Sequence, residues 1–164
     1  MPQPVLTAEE MFAWFEKTSA NWRRLFESRP ELLVIPCDVM DSCTVGGLMQ
    51  HIVAVELRYA ELIAGAPATD CAAIPIDSAL SIYAVHDRAV ALFREQLASD
   101  VNWDERIEFV ARSKFAARSS RRVLFFHALL HGIRHYAQLA TLVRQHGIKP
   151  DWPMDYLSMD VERL

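Results

Sequence analysis

Four of the six histidines in this 164-residue chain fall in one stretch, HALLHGIRHYAQLATLVRQHG. His127, His131 and His135 are spaced i, i+4 and i+8. In an α-helix each step of four residues turns the chain by about 400°, so neighbours are offset by only about 40° and stack along one face. Consecutive members lie about 6 Å apart along the axis, close enough for two imidazoles to share one ion. Zinc, nickel and iron all suit imidazole nitrogen. An HxxxH pair supplies two ligands, and a third must come from elsewhere. His51 is the candidate, because it follows Leu48 by three residues and precedes Val55 by four, on an apolar stripe. Gln138, three residues beyond His135, falls on the same general face. His86 has no histidine partner at helical spacing and reads as a surface residue. His146 lies eleven residues after His135, about 16 Å along the axis and too far to share the ion.

Spacing alone leaves two readings open, a metal site or histidines that only pack. Burying several imidazoles without partners is costly, and a metal is one way to satisfy them. Other chemistries are poorly supported. HALLH carries Ala128 where the HExxH of a zinc protease carries its glutamate. No GxSxG elbow, phosphate loop or dinucleotide fingerprint is present. A di-iron carboxylate bundle needs two Glu-x-x-His motifs, and Leu124, Ala128 and Gly132 stand at the required positions. Glu56 and Glu61 read as solvated or paired. Arg112, Lys114, Arg118, Arg121 and Arg122 form a local basic cluster that reads as a solvated face, or otherwise as an anion patch. The cysteines, Cys37, Cys43 and Cys71, have no zinc or disulfide spacing and read as reduced packing residues of a cytoplasmic protein.

Four helices are predicted to position these residues. Thr7 and Glu10 form a capping-box pattern, with Leu6 and Met11 as its hydrophobic staple, ahead of a helix over about 8–27 that stops before Pro30. The second helix begins near Thr44 and ends before Gly65, with Gly46 and Gly47 either weakening its first turn or admitting a close neighbour. The third spans about 78–98, capped by Asp77 or Ser78. The fourth runs from Arg121 to His146 behind Ser119 or Ser120 and closes at Gly147. Between the last two, Arg106–Val110 alternates in polarity and pairs with Lys114–Arg118 as a short hairpin. The fold class is therefore all-α, a four-helix bundle within one domain over 1–164.

Composition narrows the partners. With 17 Lys plus Arg against 21 Asp plus Glu, the net charge is −4, which disfavours grip on duplex nucleic acid through phosphate contacts. At 52% hydrophobic residues the chain is not disordered. No apolar run reaches the roughly 18 residues of a membrane span, and MPQPVLTAEEMF has no secretory pattern. A cytoplasmic protein free of membrane and nucleic acid is expected.

The stretches MQHIVAVELRYAELIAG and HALLHGIRHYAQLATLVRQHG, with the closing DWPMDYL, resemble the DinB-like (damage-inducible) superfamily. That superfamily includes the bacillithiol- and mycothiol-dependent transferases and the mycothiol-dependent maleylpyruvate isomerase. The likeness extends from about Thr7 to Leu157. It implies an up-down-down-up bundle, often a homodimer, with a divalent ion (Zn, Ni or Fe) on His51, His131 and His135, and His127 outside that triad. The family commonly reads His-Arg-Gly-Gln from the last ligand, whereas this chain reads His135-Tyr136-Ala137-Gln138. The resemblance implies a metal-dependent thiol S-transferase, or a related hydrolase or isomerase, using a low-molecular-weight thiol and a small-molecule substrate. A non-enzymatic metal-binding or stress-response bundle is the alternative. The residues identify no catalytic or cofactor-binding group beyond the metal ligands.

Overall fold

In a computed structural model that describes residues 5–110 and 115–162, Thr7 starts the first helix through the expected capping box. Its hydroxyl accepts from the Glu10 N–H at 3.1 Å, and the Glu10 carboxylate accepts from the Thr7 N–H at 2.7 Å. Helix α1 covers Ala8–Ser28, α2 Val45–Ala64, α3 Ala79–Leu97 and α4 Arg121–Gln145. Thr44, Ser78 and Ser120 are the caps of the last three, each accepting from a backbone N–H three residues on. Gly65 (φ 70°) and Gly147 (φ 80°) turn the chain out of α2 and α4 in the left-handed conformation.

The helix directions follow from cross-helix contacts. Glu56 meets His86 and Glu61 meets Arg88, so α2 and α3 run parallel. Ser19 meets His86 and Glu16 meets Arg94, so α1 opposes α3. Phe12 packs on Phe125 and Trp22 on Tyr136, so α1 runs with α4. His51 meets His131, and Arg121 reaches the carbonyl of Ile63 near the end of α2, so α2 opposes α4. The order is up-down-down-up. Trp22, Phe15, Phe26, Phe93 and Phe125 are fully buried between the helices.

The α3–α4 connection carries the hairpin. Its first strand, Arg106–Val110, has the predicted bounds, but its partner is Ala116–Ser120, two residues later than expected. Positions 111–114, including Arg112 and Lys114, lie outside the described residues. Phe109 meets Tyr59 edge-on, so the hairpin leans on α2 rather than standing alone. A second, two-residue ribbon pairs Pro36–Cys37 with Cys43–Thr44 just ahead of α2. The residues between its strands include Met40 and Asp41 at positive φ (55° and 57°), and Cys43 follows at 61°.

That strained segment lies directly on α2. A Cβ at Gly47 would stand 2.1 Å from the Ser42 carbonyl oxygen, and one at Gly46 would stand 3.1 Å from that of Leu33. The two glycines thus serve close approach. Gly47→Ala is expected to displace the 40–43 segment and to cost about 1–3 kcal/mol, as overpacking does. Urea unfolding checks this, and an unchanged midpoint would contradict the close approach.

Candidate metal centre

The inner stripe of α2 presents His51, and α4 presents His131 and His135 one turn apart. Because the two helices are antiparallel neighbours, the three side chains meet. Nε2 of His131 lies 3.1 Å from Nε2 of His51 and 3.2 Å from Nε2 of His135. One ligand nitrogen from each of the three falls within 4.8 Å of the others. Nitrogens bound to one tetrahedral zinc at about 2.0–2.1 Å would stand about 3.3–3.4 Å apart, so two of the three edges have ligand-like lengths. The three residues expected from the sequence are therefore the three that converge.

Their setting suits neutral imidazole. His135 Nδ1–H donates to Gln138 Oε1 at 2.6 Å, which leaves Nε2 as the lone-pair atom facing the cluster. Burial, then the nearby His135 and His51, push His131 from 6.5 down to about 2. Burial also lowers His135 and His127. A neutral imidazole is what a metal requires.

The sign of the pH effect follows. Unfolded histidines titrate near 6.5, while folded His131 stays neutral far below that. Between these limits the unfolded chain binds more protons, so this contribution to stability is complete above about pH 6.5 and falls as the pH drops. The urea midpoint of metal-free protein is expected to decrease from about pH 7.5 to 5.5, and less steeply in His131→Gln. Equal slopes in the two proteins would contradict this.

A cavity of about 370 Å³ opens beside the cluster, with His51 and His131 in its wall. Arg58, Tyr59, Gln50 and Asp41 also line it, as do His127 and Cys71. His127 lies outside the triad, as expected from the resemblance. Its ring packs edge-on to Tyr59 at 5.0 Å and tilts against His131 at 5.7 Å. Cys71 and Cys43 are exposed and only Cys37 is buried, so packing accounts for one cysteine of three. Cys43 opens a two-residue strand and Cys71 a three-residue 3-10 turn, elements too short for a helical or strand pattern to fix burial.

His86 is not a surface residue. It is 6% exposed, and its Nδ1 stands 2.7 Å from Glu56 Oε2, itself fully buried. Its Nε2 lies 3.1 Å from Ser19 Oγ, which accepts from the Tyr136 hydroxyl at 3.1 Å. Each helix contributes one member to this buried chain. Histidine spacing within α3 does not reveal this, because the partner of His86 is an acid on another helix. Glu61 is also buried and paired, accepting from Arg88 and from the Thr69 N–H and hydroxyl. Among the described members of the basic cluster, Arg121 and Arg122 pair with Glu105 and Asp104, and Arg118 faces Glu108 at 3.8 Å. They form a paired face.

Fold and site together define an all-α bundle with a three-histidine group that could hold a metal ion. The sequence profile of the DinB family matches residues 1–162, and the chain belongs to that family. Comparison with curated proteins and with solved structures gave no match. Among the described residues, no helix is long and apolar enough to cross a membrane.

Proposed function

We propose that this protein binds one divalent ion through His51, His131 and His135 and uses it to act on a small molecule held in the adjoining cavity, as a thiol S-transferase or a related hydrolase or isomerase. The carrying observation is the convergence of three imidazole nitrogens at the wall of a cavity large enough for a ligand. Bound there, a divalent ion acts as a Lewis acid and lowers the pKa of a coordinated water or thiol. Gln138 fixes the tautomer of His135. Tyr59 and His127 give the cavity an aromatic side that would shield a ligand from water.

A second reading is binding without turnover. It is favoured by the scarcity of bases, since Asp41 is the one carboxylate among the described residues lining the cavity. A panel of electrophiles, each with several low-molecular-weight thiols or water as nucleophile, separates the two. Metal-dependent turnover by wild type, lost in His131→Ala, is the expected result. Metal binding without turnover across the panel would favour the second reading.

A further inference from the structure

Arg134 stands between the last two histidines of α4, and its exposed side chain turns toward His135. Its Nη2 lies 3.2 Å from His135 Nε2. Since His135 Nδ1–H is given to Gln138, Nε2 is the acceptor, and the guanidinium donates to the atom a metal would need.

Two consequences follow, and both rest on the metal-binding reading. One lone pair cannot serve both an N–H and an ion, so the guanidinium must leave Nε2 when an ion enters. Its backbone, one residue before His135, still keeps that positive charge in the neighbourhood of a bound divalent cation, an unfavourable pair unless an anion lies between them. The planar fork of arginine matches a carboxylate, one oxygen of which can face the guanidinium while the other faces the ion. We propose that Arg134 is a specificity-determining residue that makes the open coordination position select a small carboxylate over a neutral donor.

The test uses full-length protein loaded with Co²⁺, whose visible spectrum reports the ligands, titrated with acetate and separately with neutral imidazole. Wild type must first show the cobalt spectrum, and its absence would overturn the metal reading itself. With that spectrum present, Arg134→Gln is expected to weaken acetate binding roughly tenfold, the scale of one lost charge-assisted hydrogen bond. Imidazole binding should be unchanged or tighter. Co²⁺ affinity in buffer without coordinating anions should rise, because a competing donor and a like charge are gone. Arg134→Lys should fall between, keeping the charge and losing the fork. Changes of opposite sign for metal and acetate are not what general damage produces. Unchanged acetate affinity in Arg134→Gln, or an equal loss of acetate, imidazole and metal, would overturn the proposal.

Discussion

Replacing His131 with alanine is expected to lower the affinity for Zn²⁺ at least ~100-fold, beyond the roughly 10–100-fold seen when only an outer partner of a metal ligand is lost. His131 is the central member of the group, since its Nε2 stands within 3.2 Å of both other ligand nitrogens. Its removal leaves His51 and His135 without the atom that links them. The fold should survive, because the side chain lies at the wall of a cavity and not among the core aromatics. Competition with a chromophoric chelator, together with the circular dichroism of the same sample, checks both halves. Retained affinity would place the ion elsewhere, and collapse of the fold would make His131 a packing residue.

The second large effect concerns stability. Glu56→Ala removes a fully buried carboxylate that stands 2.7 Å from His86 Nδ1. It strands the imidazole and opens a space facing Gly132, whose missing Cβ makes room for Phe15 at 2.8 Å and Glu56 Oε1 at 3.4 Å. Removing one partner of a buried pair costs about 3–5 kcal/mol, which for a chain of this size lowers Tm by roughly 10 °C. Glu56→Gln keeps the volume and an acceptor and should cost less. Calorimetry of wild type and both variants decides it. Equal, small shifts would mean that the Glu56–His86 contact is not a stabilising one.

Much of this architecture was legible because its signals are local. Thr7 with Glu10, Thr44 ahead of α2 and the glycines at 65 and 147 act within a turn of the boundary they set, and the four helices fall within two residues of expectation. The histidine group was legible in part for the same reason. His131 and His135 are one turn apart on one helix, and His51 lies on an apolar stripe. Convergence itself depends on the antiparallel contact of α2 and α4, which spacing within either helix cannot express. The Glu56–His86–Ser19–Tyr136 chain was missed because its members come from four helices. Nothing about the lone glutamate in VELRY marks it as buried. The hairpin's second strand was misplaced because register depends on the turn chosen between the strands. Arg134 is a further case, since its position in the sequence does not reveal that its guanidinium turns toward His135 Nε2.

The function proposed for this bundle depends on a metal centre formed by His51, His131 and His135. Elemental analysis of untagged protein, wild type beside His51→Ala and His131→Ala, tests it most directly. One divalent ion per chain in wild type, lost in both variants, is the predicted result. No ion in any of the three, even after loading with Zn²⁺ or Ni²⁺ and desalting, would contradict it and leave these histidines as packing residues.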